Sequence, residues 1–161
     1  SIQVKMRQMA TRGIRFLEDR SIDFDVVEYV YKRKGALRAA DAVGWDERAV
    51  VKSLVVDTGA RGLYFVLVPA HRELSTKKLA RVFGVKSVFM AQIRDAERLT
   101  GYVQGGISPF GSFTAFPVVM EETLLEQERI AINAGKRGVL VVLSPWDVQE
   151  LLEADLEDII T

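Results

Sequence analysis

Two valine-rich segments, AVVKSLVVD from Ala49 to Asp57 and LYFVLVPA from Leu63 to Ala70, flank the short stretch TGARG. β-branched runs separated by a glycine-containing turn predict an antiparallel hairpin, and every other element has to pack around it. Lys52 interrupts the first run. Alternation puts it on the face of Val50, Leu54 and Val56, which reads as buried. A lysine there either snorkels from a sheet edge or points into a cavity, where its ammonium meets an anion or a polarised carbonyl.

The rest of the chain is a mixture of short elements. Residues 4 to 20 read as a basic-faced helix broken near Gly13, and Phe24 to Gly35 as a strand entering the cluster Lys32, Arg33, Lys34. Ala36 to Val43 predicts a helix stopped by Gly44. Ser75 caps a helix through Phe83; Val85 to Met90 reads as a short strand and Asp95 to Leu99 as a helical turn. Phe113 to Met120 returns to strand character, and Glu121 to Glu126 forms an acidic turn or helix. IAINAGKRG and VLVVL are strands joined by a tight turn. Ser144 and Pro145 open a last helix whose apolar stripe runs from Val148 through Leu151, Leu152 and Leu156 to Ile159.

 The alternation of hairpin-linked strands with irregularly spaced helices gives an α+β class, with a mixed, mainly antiparallel, partly closed sheet flanked by helices. With no linker, repeat or low-complexity tract, residues 1–161 are expected to form a single domain.

Composition narrows the chemistry. The chain has no cysteine and one histidine, which removes disulfides, thiolate nucleophiles and thiolate metal sites and leaves little for a metal centre. No metal or cofactor is expected. No apolar run approaches the roughly 20 residues of a membrane span, and the first residues lack the apolar stretch of a signal peptide, so a cytoplasmic protein is expected. The net charge is zero, but residues 1–90 carry 17 basic and 10 acidic side chains and residues 91–161 carry 5 and 12. A uniformly basic coat is excluded. A local basic face, from Lys32, Arg33, Lys34, Arg38, Lys77, Lys78 and Arg81, suits either a solvated surface or docking on a phosphate backbone.

The elbow, Walker, zincin and dinucleotide motifs are all missing. His71 follows a strand and Pro69 and reads as an exposed loop residue rather than a general base. The remaining oddity is GYVQGGISPFG, residues 101 to 111. Its glycines serve a tight turn and a bulge, or else Gly105 and Gly106, followed by Ser108 and Pro109, bring backbone N–H groups close to a bound oxygen.

Taken in order, VVKSLVV (50–56), YFVLVPA (64–70), LSTKKLARVFGVKSVFMA (74–91), LTGYVQGGISPFG (99–111) and NAGKRG (133–138) resemble the YbaK family of aminoacyl-tRNA deacylases, relatives of the prolyl-tRNA synthetase editing domain. The similarity spans nearly the whole chain. It implies a hydrolase acting in trans on the ester of a mischarged tRNA, Cys-tRNA(Pro) or Ala-tRNA(Pro) among the candidates. It implies tRNA as partner, with prolyl-tRNA synthetase a possible second one. By motif match Lys52 takes the place of the family's essential lysine, and Gly105 and Gly106 match the pair whose backbone lies at the scissile carbonyl. Tyr29, Ser53, Ile107, Ser108 and Asn133 fall at substrate-binding positions. Two departures bear on specificity: Asn133 stands where a small hydroxyl residue is common, and Leu140 where an acidic one is frequent. They leave open a non-catalytic module that binds aminoacyl-tRNA or a synthetase; a small-molecule hydrolase without an RNA partner is the third class.

Overall fold

A computed structural model describes residues 10–32, 40–41 and 44–161. The expected start of the first helix (4–9), most of the expected helix from Ala36 to Val43, and the basic residues Arg33, Lys34 and Arg38 lie outside the described residues.

The hairpin forms as expected. β2 (Val51–Asp57) and β3 (Leu63–Pro69) pair antiparallel from Val51↔Pro69 to Asp57↔Leu63. Their turn closes through the Thr58 N–H donating to the Gly62 carbonyl at 3.0 Å, with Asp57 Oδ1 accepting from the Gly59 N–H. Around the hairpin lie β1 (Asp25–Glu28), β4 (Phe89–Met90), β5 (Val118–Glu121), β6 (Ile130–Lys136), β7 (Val139–Leu143) and β8 (Asp155–Glu157). They form two sheets, β1-β7-β6 and β4-β2-β3-β5-β8. Four strand pairings are antiparallel and two, β3 with β5 and β5 with β8, are parallel. The sheet is therefore mixed and mainly antiparallel. It is not closed: one parallel bridge, Val50↔Ala131, joins the two sheets.

The main core lies between these sheets. Val51, Val55, Phe65, Leu67, Val118 and Met120 from one face Ile130, Ile132, Val139 and Val141 from the other, all at most 5% exposed. Helix α1 (Arg12–Asp19) covers one end with Ile14 and Leu17. It runs through Gly13 without a break. The Thr11 side chain caps it, and the missing side chain at Gly13 lets the helix backbone meet the Ala134 carbonyl. Helix α2 (Thr76–Phe83) packs a second cluster against Val56, Val66 and Val68, capped by Ser75 and ended by Gly84 at φ +65°.

Several expected boundaries move. Among the described residues, the strand expected from Phe24 shrinks to β1, because Glu28 is the last residue in register with β7. The strand expected from Val85 shrinks to the two residues of β4. The turn at Asp95–Leu99 becomes a full helix, α3 (Ile93–Thr100), and the strand expected from Phe113 begins only at Val118. Phe113 lies instead beneath the Arg12 guanidinium, 3.9 Å from its ring centre. The last helix, α4 (Pro145–Leu152), stops at Glu153 in the left-handed region (φ +49°), and Leu156 enters β8 rather than continuing the stripe. The free edge of β5 supplies the reason: three paired residues satisfy backbone groups that a longer helix would leave unpaired. Leu156 and Ile159 still bury their side chains in the core clusters.

Candidate active site

A cavity of about 290 Å³ opens where β6 and β4 diverge along one edge of β2. Six of the eight expected site residues line it: Lys52 and Ser53 from β2, Asn133 from β6, Gly105 and Ile107 from the glycine-rich loop, and Tyr29 just beyond β1. Leu140, opposite Asn133 on β7, completes one apolar wall with Val50. Ala91, Ile93 and Ala96 form another.

Lys52 combines the two possibilities left open by its pattern. Its side chain is only 18% exposed and lines the cavity, while Nζ donates to the Arg72 carbonyl at 2.6 Å and stands 3.6 Å from Glu73 Oε1. The ammonium is thus held at one side of the cavity by the segment after β3. Ser53 Oγ is buried with no hydrogen-bond partner.

Asn133 fixes the loop to the sheet. Nδ2 donates to the Gly105 carbonyl at 2.9 Å, and Oδ1 accepts from the Gly135 N–H at 2.7 Å across the bulge in β6. On the outer side, Arg137 Nε donates to the Gln104 carbonyl at 2.8 Å, with its guanidinium 5.2 Å from the Tyr31 ring centre. Gly105 has φ +89°, so its backbone favours glycine, and a Cβ there would also push against the tip of the Tyr31 side chain, 2.5 Å from Oη. Deeper in the loop, Arg12 Nε and Nη2 donate to the Gly111 and Thr100 carbonyls, each at 3.0 Å, and Tyr102 Oη donates to the Phe110 carbonyl. Burial pushes the phenol pKa of both Tyr29 and Tyr102 up; a backbone hydrogen bond with Gly138 opposes this at Tyr29, and Arg12 opposes it at Tyr102.

Two expected site residues stand apart from the cavity. The Gly106 N–H donates to the Val103 carbonyl at 2.8 Å, closing a turn, so it is not free to meet a substrate oxygen. Its glycine identity answers the β6–β7 turn, since a Cβ would lie 3.1 Å from the Arg137 nitrogen. Ser108 is fully buried, and its Oγ accepts from the Phe110 N–H at 3.1 Å, which shapes the loop from within. His71 does not line the cavity either, and it is half-buried rather than exposed, with Nδ1 buried and unpaired. Of the basic residues, Lys77 and Arg81 are exposed, whereas Lys78 Nζ donates to Asp158 Oδ1 and the Ile160 carbonyl and ties α2 to the chain beyond β8. Tyr31, Gln104 and Arg137 were not singled out by sequence. Arg137 lies in the recognised NAGKRG stretch, but nothing in the spacing pairs it with Gln104.

Among the described residues no three His, Asp or Glu side chains are grouped to hold a metal ion. No helix there is long and apolar enough to cross a membrane.

The model of the aminoacyl-tRNA editing domain family matches residues 32–151. The EbsC protein of Enterococcus faecalis, named as a candidate Cys-tRNA(Pro)/Cys-tRNA(Cys) deacylase, is 30% identical over 159 residues, covering 98% of this chain and 97% of that protein. The Escherichia coli K12 protein named multifunctional Ser/Thr-tRNA deacylase ProXp-y is 26% identical, covering 90% of this chain and 89% of its own. A solved structure described as a candidate trans-editing enzyme for prolyl tRNA synthetase superposes with a TM-score of 0.84 at 30% identity, covering 93% of this chain and 95% of the other.

Proposed function

Because the chain belongs to the aminoacyl-tRNA editing domain family, we propose that it is a trans-editing hydrolase that removes a small amino acid from mischarged tRNA in the cytoplasm. Cysteinyl- and alanyl-tRNA(Pro) are the first candidates, and seryl-tRNA follows from the relative named for Ser/Thr-tRNA. The observation that carries the reading is the convergence of Lys52, Gly105 and Asn133, far apart in sequence, on one small cavity.

An aminoacyl ester is already activated, so orientation and stabilisation of the tetrahedral oxyanion suffice without a triad. Water adds to the carbonyl carbon, the bond to the ribose oxygen breaks, and the proton released by water ends on that oxygen. The amino acid and a free tRNA terminus leave. Lys52 supplies the positive charge and the Gly105 N–H a dipole; Gly106 acts by shaping the turn. No side chain in the cavity is an evident base, which fits proton transfer through a substrate hydroxyl.

The test is a panel of tRNA(Pro) charged with Cys, Ala or Pro and tRNA(Ala) charged with Ser or Gly, with wild type beside Lys52→Ala. Turnover of a mismatched pair that falls on the order of a hundredfold in the folded variant is the expected result. Full activity in Lys52→Ala removes its role. One observation favours a second reading, a non-catalytic module that binds aminoacyl-tRNA or a synthetase: the Lys52 ammonium is already engaged by Arg72 and Glu73. Salt-sensitive tRNA binding without turnover would establish it.

A further inference from the structure

The cavity has a wall made of main chain. β2 bonds to β3 through its even-numbered residues: the Ala70 N–H donates to the Val50 carbonyl at one end and the Thr58 N–H to the Gly62 carbonyl at the other. The unbroken register carries that alternation through Lys52↔Val68, Leu54↔Val66 and Val56↔Tyr64. The backbone groups of Val51, Ser53 and Val55 therefore point to the opposite edge.

That edge is covered only at its ends. β6 meets it at the Val50↔Ala131 bridge, with the Ala131 N–H donating to the Ala49 carbonyl at 2.8 Å. β4 meets it where the Ala91 N–H donates to the Val55 carbonyl at 2.9 Å. Between these contacts the two neighbours part, and Ser53 lies at the centre of the gap with its N–H and C=O aimed into the cavity. The Val51 carbonyl points the same way. An open strand edge is a ready hydrogen-bonding template for whatever extended group enters beside it. Here the gap is one residue long.

Resting on the deacylase reading above, we propose that the Ser53 carbonyl binds the α-ammonium of the aminoacyl group. The substrate enters as a one-residue strand, and the cationic amino group meets a main-chain carbonyl dipole rather than a side chain. The enzyme then acts on aminoacyl esters with a free α-amino group and passes over esters whose nitrogen is acylated, such as peptidyl-tRNA.

The test uses the full chain with alanyl-tRNA(Pro), lactyl-tRNA(Pro), in which a hydroxyl replaces the ammonium, and N-acetylalanyl-tRNA(Pro). Seryl and cysteinyl esters with their hydroxyacyl and N-acetyl counterparts form parallel sets. Each rate is divided by that ester's spontaneous hydrolysis, because the ammonium itself activates the ester. The expected result is a loss of roughly 10- to 100-fold in kcat/KM for the hydroxyacyl and N-acetyl forms, the scale of a hydrogen bond to a charged group. Corrected rates within about threefold of the aminoacyl ester, the scatter to be expected of a weak contact, overturn the inference. Ser53→Ala removes Oγ and keeps the main chain, so it preserves the ratio even where turnover slows; collapse of the ratio in that variant overturns the main-chain assignment. If no ester with a free amino group is turned over, the deacylase reading fails instead.

Discussion

Asn133→Asp replaces one donor by an acceptor with almost no change in shape. The Gly135 N–H keeps its partner, but a carboxylate oxygen now faces the Gly105 carbonyl across the position where Nδ2 donated at 2.9 Å. The lost bond is worth about 1 kcal/mol net, and leaving a partly buried carbonyl unpaired adds roughly 1–3 kcal/mol. A loss of about 2–3 kcal/mol at pH 7 is expected for this half-buried site, or a Tm lower by roughly 5–10 °C at this chain length. The pH dependence identifies the cause. A protonated carboxyl can donate to Gly105, so in the variant the folded state holds the proton more tightly than the unfolded chain, whose aspartate titrates at about 3.9. The recovered stability is present below that pH and is lost as pH rises through the higher folded value. Urea denaturation of wild type and variant at pH 4 and pH 7 reads the difference directly. A difference that is the same at both pH values would refute the donor-to-carbonyl account of how this loop is held.

Gly13→Ala drives a Cβ into the Ala134 backbone, which cannot yield as a flexible side chain would, so a loss of about 1–3 kcal/mol or more is expected in denaturant melts. Glu121 is fully buried and accepts from the Thr123 N–H, Thr123 Oγ1 and the Ile159 N–H. Glu121→Gln turns one accepting oxygen into a donor facing a donor, and a cost of about 2–4 kcal/mol is expected by the same measurement. Because burial raises the Tyr29 phenol pKa, the unfolded chain loses that proton first, and stability falls as pH rises above about 10. Tyr29→Phe should make this alkaline decline shallower; an unchanged slope between about pH 9 and 11 would exclude the contribution.

Local chemistry was the legible part of the fold. The hairpin, the Ser75 and Ser144 caps and the helix end at Phe83 follow from residues within a few positions of each other, and all appear where the pattern puts them. The errors fall where distant partners decide. Leu156 belongs to an apolar stripe at helical spacing, and only the free edge of β5, more than 30 residues earlier, turns it into strand. At the site, motif order brought Lys52, Ser53, Gly105 and Asn133 forward together, and they share a cavity. It could not separate Gly105 from Gly106, because that difference is a single turn hydrogen bond to Val103. Nor could it reveal Tyr31 or Arg137, whose roles depend on the approach of the segment after β1 to the β6–β7 turn.

The pairing of β1 with β7 also dictates when the protein can become active. Asp25 finds its partner at Val142, and Thr11 reaches Ala134, so the cavity wall exists only after the chain has been synthesised past these late residues. Until then the valine-rich hairpin lacks the partners that cover it and is at best marginally stable, and closure of such long loops precedes the contacts that stabilise them. The site is therefore a late product of synthesis, assembled only when the C-terminal strands arrive to cover the hairpin.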